Sequence, residues 1–350
     1  MLLDKNYIKP SNLAILVISL IFALLVGSGF YGFGNDYYAI YHKHNVDWGQ
    51  TFDRFGWIVT TLSINGKHIG VHITTFILSF SVGCLLRENL RLKNIYSLVF
   101  FVFLYIIVLH TWPIIMSTSN AMRQGVCMSF IFIALYSSNK SYLWTIIFVL
   151  LATFAHKSGP FFAVIILLSF CLQNILKHKS YNSKVVIHFC LGVFLAIISY
   201  AFIFKNFGVE QGSKIINGDF RIPFILIAIT YVTFSFFYKR LINNTTNLSL
   251  YYFSFISPMF LMSGLNWEYE RFGMMMLIPY IFSFGGLLDR PSNKFYLVTT
   301  FLALLLLTIY MGMYESLNRS PPSQMLIGHA EGGVIWEGTK WLFVGHDISD

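Results

Sequence analysis

Polar residues with chemical potential are gathered in five short segments, which long apolar stretches separate. The segments read GFGNDYYAIY, FDRFG, STSNAMRQG, FAHKSG and NWEYERFG. Their candidate functional residues are Asp36, Asp53, Arg54, Asn120, Arg123, Gln124, His156, Lys157, Glu270 and Arg271. Arginine guanidinium groups bind phosphate oxygens in a bidentate manner, and Asp, Glu or His can accept a proton from a hydroxyl nucleophile. This mixture predicts a site that holds an anionic ligand and acts on a hydroxyl group.

Each of these residues also has an explanation that needs no ligand. Arg123 and Arg271 could reach lipid headgroups or pair with a carboxylate, and Lys157 could anchor the chain at the membrane interface. His156 could cap the end of a helix, and Asp36 could cap the start of one. The prediction therefore depends on the five segments together and not on any single residue.

The sequence predicts neither a metal site nor a cofactor. No acidic pair of the DxD kind occurs in the five segments. The four cysteines lie in apolar runs, without CxxC spacing or a histidine at metal-ligand spacing, and we expect small buried side chains there. A phosphate ligand would then be stabilised by Arg, Lys and His side chains. The formal charge of +9 comes without a basic run interleaved with aromatics, so we expect no nucleic-acid partner.

The elements that position these segments are predicted to be membrane-spanning helices. Of the 350 residues, 56% are hydrophobic and 11% are charged, whereas a soluble domain carries about 25% charged residues. Long apolar runs of this kind indicate transmembrane helices. We expect about eleven, at 11–31, 69–86, 94–110, 124–138, 142–156, 159–174, 185–204, 222–238, 249–265, 272–288 and 295–313. The fold class is therefore all-α, in one integral membrane domain covering 1–350.

The distribution of charge predicts the orientation of the chain. With the N-terminus in the cytoplasm, the inner side carries 13 Lys and Arg against three acidic residues, and the outer side carries 11 against 12. Such an excess of basic residues in short inner loops follows the positive-inside rule. The C-terminal tail, about 314–350, then lies outside. All five polar segments fall at the outer ends of helices.

Two outer segments are longer than a connection requires. They are 32–68 and 205–221, and the first has apolar residues at helical spacing. We expect short amphipathic helices there, lying on the outer interface or re-entering it.

Three of the polar segments, with a fourth late in the chain, resemble those of a known family. GNDYYAIY after the first helix, NAMRQG opening a helix and FAHKSG about thirty residues later are similar to the EpsG family of Wzy-type polysaccharide polymerases. ERFGMMMLIPY resembles that family's late helix, which contains an arginine. The similarity covers roughly 30–290, and the C-terminal tail has no counterpart in it.

The resemblance implies a fold and an activity. It implies a GT-C-like, metal-independent membrane glycosyltransferase in the bacterial cytoplasmic membrane, with a periplasmic or extracellular active face. Such an enzyme transfers a growing glycan from undecaprenyl pyrophosphate to a sugar hydroxyl of the next lipid-linked repeat unit. Its partners are these lipid-linked glycans, the bilayer, and a chain-length regulator and flippase of the same pathway.

The resemblance also implies roles for individual residues. Arg123 and Arg271 would hold the donor pyrophosphate, and His156 would assist them or act as the base. Asp36 and Asp53 would orient or deprotonate the acceptor. Arg54, Asn120, Gln124, Lys157 and Glu270 would contribute further contacts to the pyrophosphate or the sugars.

Other functions remain open at this level. A flippase for lipid-linked oligosaccharides also needs cations near a lipid phosphate, but its charges are expected in a central cavity and its chain often contains an internal repeat. An O-antigen ligase shares the donor site but needs a larger outer loop. A membrane acyltransferase would place His156 toward the cytoplasm. A purely structural membrane protein leaves the one-sided polar segments unexplained.

Overall fold

The computed structural model describes slightly less than half of the chain. The described residues are 5–27, 63–64, 67–90, 92, 94–119, 122–138, 140–156, 159–198, 302, 305–306, 309 and 346–347. They belong to two compact units, one formed by 1–163 with 308–350 and the other by 164–307. Each unit is described by itself below.

The described part of the chain is helical apart from three strands of two residues each. The helices are α1 (Lys5–Gly27), α2 (Gly70–Asn89), α3 (Ile95–Leu109), α4 (Trp112–Ser119), α5 (Met122–Ser137), α6 (Tyr142–Ala155), α7 (Gly159–Ile175) and α8 (Tyr181–Ile198). The strands are β1 (Ser63–Ile64), β2 (Lys67–His68) and β3 (His346–Asp347). This confirms the all-α fold class, and the first seven predicted apolar runs each contain a helix whose bounds lie within six residues of the expected ones.

The helices have the apolar character of membrane segments. Within the described residues, α1 and α2 are long and apolar enough to cross a membrane, and α3 with α4 forms a third candidate if the bent pair is one span. α5 to α8 are shorter apolar helices. One face of α1 exposes large aliphatic side chains, among them Leu13, Leu20 and Ile21, a pattern that suits contact with lipid. The total of eleven spans stays a prediction, because the three runs from 222 to 288 lie outside the described residues.

Polar contacts at mid-height join the first three helices. Ser11, Ile15, Ser19, Phe22 and Val26 form the buried stripe of α1, at helical spacing. The fully buried Tyr105 of α3 donates to the carbonyl oxygen of Ser79 in α2 (2.6 Å) and accepts from Ser19 Oγ (2.8 Å). The hydroxyls of Ser19 and Tyr105 and the carbonyl of Ser79 thus each have a partner, as buried polar groups in proteins nearly always do.

One end of the bundle carries a cluster of charged and aromatic side chains. Arg87 at the end of α2 donates through Nη2 to the Tyr136 hydroxyl at the end of α5 (2.8 Å). Lys140 lies over the Tyr136 ring, 3.5 Å from its centroid, and pairs with Glu88 (3.3 Å). We call these residues the inner cluster, because the charge distribution assigns Arg87, Glu88 and Lys140 to the cytoplasmic side. Arg87 and Tyr136 each lie near the C-terminal end of their helix, so α2 and α5 run in the same direction.

A proline accounts for the break between α3 and α4. A proline ring collides with the carbonyl of the residue four positions earlier in a continuous helix. For Pro113 that residue is Leu109, where α3 ends. α4 then starts at Trp112, 58° away in direction from α3. The sequence analysis does not predict this short helix.

The three strands form a small antiparallel sheet in the order β1-β2-β3. Lys67 is paired with Asp347, and His68 with His346. Residues 67–68 of the first outer segment and 346–347 of the C-terminal tail are therefore adjacent. We expect amphipathic helices in 32–68 and 205–221; the described residues of the first segment, 63–64 and 67–68, are strands, and the rest of both segments lies outside the described residues.

The second unit contributes most of α7 and the whole of α8. The turn between these helices carries two lysines, Lys177 and Lys179, and Lys184 in the first turn of α8 donates through Nζ to the Lys177 carbonyl (3.3 Å). Cys171 and Cys190 are exposed on these helices, which corrects the expectation that all four cysteines are buried. Their exposure suits lipid-facing positions on apolar helices.

Candidate functional site

Arg123 and His156 lie at the same height in a helical hairpin formed by α5 and α6. Arg123 is fourteen residues before Ser137, where α5 ends, and His156 is fourteen residues after Tyr142, where α6 begins. At 1.5 Å per residue both lie about 21 Å from the turn. The stacked rings of Phe130 and Phe148, 6.4 Å apart, confirm this register halfway along. The hairpin thus brings these two predicted site residues to one end.

That end is opposite to the inner cluster. Tyr136 and Lys140 of the inner cluster flank the turn of the hairpin, whereas Arg123 and His156 lie at its open end. The half-buried Arg123 is the second residue of α5, and the adjacent Gln124 is buried. With the inner cluster in the cytoplasm, the open end faces outward.

Close packing of α4 against α5 fixes the start of the Arg123 helix. A Cβ atom at Gly125 would overlap the backbone carbonyl oxygen of Ser117 in α4. Ser117 Oγ also contacts the sulfur of Met128 at 3.1 Å, one turn further along α5. Gly125 of the NAMRQG segment, two residues after Arg123, therefore lets the backbones of α4 and α5 approach closely.

A second glycine shapes the turn that carries His156. His156 ends α6 in an extended conformation, and only 5% of its surface is exposed. Its carbonyl accepts a hydrogen bond from the Gly159 amide at 2.7 Å, which closes the turn into α7. A Cβ atom at Gly159 would overlap the Ala152 carbonyl. The buried position argues against a freely solvated histidine.

Seven predicted site residues cannot be placed against this geometry. Asp36, Asp53, Arg54, Asn120, Lys157, Glu270 and Arg271 lie outside the described residues. Their roles stay predictions, as do those of Arg123, Gln124 and His156. No group of three or more His, Cys, Asp or Glu side chains able to hold a metal ion occurs among the residues that the structure describes.

Two polar residues in the N-terminal half of α2, His72 and Thr75, were not among the predicted site residues. Both lie in the apolar run HITTFILSF and are uncharged, so a search for charged residues at helix ends passes over them. A polar residue inside a predicted span was the signal available, since such residues are costly there and are often functional.

The fold and the outer end together define a class: a helical membrane protein with cationic and imidazole side chains gathered at one end of its bundle. The chain belongs to the EpsG family, whose model matches residues 12–321, nearly the whole length. Membership indicates a polysaccharide-polymerase-like function of the glycosyltransferase kind. Neither the curated proteins nor the solved structures contain a match to this chain.

Proposed function

We propose that this protein is a polymerase that joins oligosaccharide repeat units carried on undecaprenyl pyrophosphate. The reaction takes place at the outer face of the bacterial cytoplasmic membrane and builds O-antigen, capsule or exopolysaccharide chains. The observation that carries the proposal is the common height of Arg123 and His156 at one end of the α5–α6 hairpin, in a member of the EpsG family.

The chemistry is a glycosyl transfer. A hydroxyl of the acceptor unit attacks the anomeric carbon of the donor glycan, and a new glycosidic C–O bond forms there. The bond between that carbon and the pyrophosphate oxygen breaks, and undecaprenyl pyrophosphate leaves with the electron pair. The hydroxyl proton passes to a base, for which His156, Asp36 and Asp53 are the candidates.

Arg123 is proposed to stabilise the leaving group. Negative charge develops on the bridging pyrophosphate oxygen as the bond breaks, and a fixed guanidinium beside it lowers the barrier. Packing of α4 at Gly125 restrains the start of the helix that carries Arg123. Arg271, Arg54, Lys157, Asn120, Gln124 and Glu270 are proposed to complete the pyrophosphate and sugar contacts without a metal ion.

An elongation assay with purified protein tests the proposal. Lipid-linked repeat units extracted from a strain lacking the gene are mixed with the protein in nanodiscs, and the glycans are separated on a gel. The wild type is expected to yield a ladder of lengths and free undecaprenyl pyrophosphate. His156→Ala should abolish the ladder, whereas His178→Ala, a histidine in the exposed turn between α7 and α8, should leave it unchanged.

Three results would contradict the proposal or a part of it. A wild-type protein that binds the lipid-linked units but never lengthens them is not a polymerase. A ladder that persists in His156→Ala removes this residue from the reaction. Transfer of lipid-linked units across vesicle membranes without elongation would support a flippase instead.

A further inference from the structure

Two uncharged polar side chains lie one helical turn apart in the outer half of α2. They belong to His72 and Thr75, and Thr75 is fully buried. Nδ1 of His72 and Oγ1 of Thr75 are shielded from solvent, and neither has a hydrogen-bond partner among the residues that the structure describes. Buried polar atoms in proteins nearly always have a partner, so these two need an explanation.

The hydroxyl of Thr75 differs in its hydrogen bonding from the neighbouring hydroxyls of α2. Hydroxyl groups in helices commonly donate to a carbonyl of the preceding turn. Thr74 does so to Gly70 and Val71, and Ser79 to Thr75. The Thr75 hydroxyl makes no such bond within the described residues.

The His72 ring is held in place by α1. A Cβ atom at Gly27 would overlap three atoms of the imidazole, so the ring occupies the space left by the missing side chain. This contact restrains the ring from the side of α1. A fixed ring loses little conformational entropy on binding a ligand.

The height of Thr75 in the bundle follows from the register between α2 and α5. The contact of Arg87 with Tyr136 fixes the inner ends of the two packed helices. Twelve residues before each of them are Thr75 and Gln124, so both lie about 18 Å above that contact. Packed helix axes are about 8–10 Å apart. Thr75 is therefore near the height of Gln124, the residue next to Arg123 in the sequence.

We infer that His72 and Thr75 form a subsite for a sugar hydroxyl of the acceptor glycan, beside the place proposed for the donor pyrophosphate. This inference rests on the proposed function. An imidazole and a hydroxyl can each donate or accept a hydrogen bond, as a sugar hydroxyl also does. They carry no formal charge to balance a pyrophosphate, which suits Arg123 instead. In this arrangement the pyrophosphate contacts α5 and the sugar hydroxyl contacts α2.

The test compares two neighbouring threonines, Thr75→Val and Thr74→Val. The probe is the repeat unit on a short, water-soluble prenyl pyrophosphate, added as acceptor to the elongation assay at a fixed donor concentration. Thr75→Val should raise the KM for this acceptor roughly fivefold, since it loses one neutral hydrogen bond. Thr74→Val should leave that KM unchanged. Gly27→Ala, which displaces the His72 ring, should act in the same direction as Thr75→Val.

Thermal unfolding of the purified variants separates the outcomes. If the probe raises the melting temperature of the wild type more than that of Thr75→Val, the subsite stands even when no elongation occurs and the polymerase proposal fails. If elongation proceeds with an unchanged acceptor KM in Thr75→Val, the inference is wrong while the proposed function survives. An unaltered stabilisation by the probe in that variant overturns the inference as well.

Discussion

At the scale of single residues, the proposed reaction depends on the guanidinium of Arg123 at the N-terminal end of α5. A guanidinium can hold two pyrophosphate oxygens at once, whereas an ammonium is a compact point charge. The residue lies within the first turn of its helix, where the positive end of the helix dipole adds to its effect on an anion.

Replacement of Arg123 is expected to reduce elongation. Arg123→Ala should lower the rate about 100-fold, the usual effect of losing one group that stabilises transition-state charge. Arg123→Lys should recover only part of the loss, because its donors cannot form the bidentate pair. Initial rates in the elongation assay measure both, with Lys179→Ala, an exposed cation of the α7–α8 turn, as control. Near-normal rates in both Arg123 variants would remove this residue from the site.

At the scale of secondary-structure elements, two glycines control the approach of backbones around the site. Gly125 allows α4 to pack on α5, and Gly159 allows α7 to begin directly after the His156 turn. Neither neighbour is a flexible side chain, since both are carbonyl oxygens. The backbone must therefore move if a methyl group is added.

Gly125→Ala and Gly159→Ala are each expected to reduce elongation by tenfold or more, because a displacement of about 1 Å from productive geometry is costly. Gly83→Ala is a useful comparison, since it would press on the side chains of Ile15 and Tyr105 at mid-height instead. It should lower the melting temperature more than the specific activity. Full activity of both site variants would show that these contacts do not position Arg123 and His156.

The hydrogen bonds of Tyr105 should stabilise the packing of α1, α2 and α3. Tyr105→Phe leaves Ser19 and the Ser79 carbonyl short of a partner, which should cost about 1–2 kcal/mol. The melting temperature in detergent is expected to fall. Tyr96→Phe on the same helix alters a largely exposed hydroxyl and should leave it unchanged. Equal melting temperatures for the two variants would contradict the role given to this network.

Hydropathy predicted the helices well because a span must be apolar over its whole length. It could not predict α4, whose eight residues are too few for such a signal and whose start depends on Pro113. The inner cluster could not be predicted from the sequence either, since Arg87 and Tyr136 are 49 positions apart and no local pattern links them. For the site, residue types identified Arg123 and His156, but His72 and Thr75 stand out only once burial and missing partners are known.

At the scale of the whole molecule, the orientation in the membrane decides which end faces the substrate. Arg87, Glu88 and Lys140, which the charge distribution assigns to the inner side, lie together at one end of the bundle, and the orientation itself stays a prediction. Elongation of lipid-linked units after their export requires Arg123 and His156 on the outer side.

Cysteine accessibility tests this orientation. In a chain with the four native cysteines replaced by serine, the His178→Cys variant should react with a membrane-impermeant maleimide only after the membrane is opened. The Ser349→Cys variant, changed in the tail beyond β3, should react in intact spheroplasts. The reverse pattern would place the proposed site in the cytoplasm and remove the polymerase mechanism.

The most direct test of the central claim is the fate of lipid-linked units in cells that lack the gene. The polysaccharide is expected to lose its long chains, while single repeat units accumulate on outward-facing undecaprenyl pyrophosphate or reach the surface singly. The wild-type gene should restore long chains, and Arg123→Ala or His156→Ala, expressed at equal levels, should not. Accumulation of finished polymer on the lipid carrier would indicate a ligase. Single units confined to the cytoplasmic leaflet would indicate a flippase and contradict the outer polymerase site.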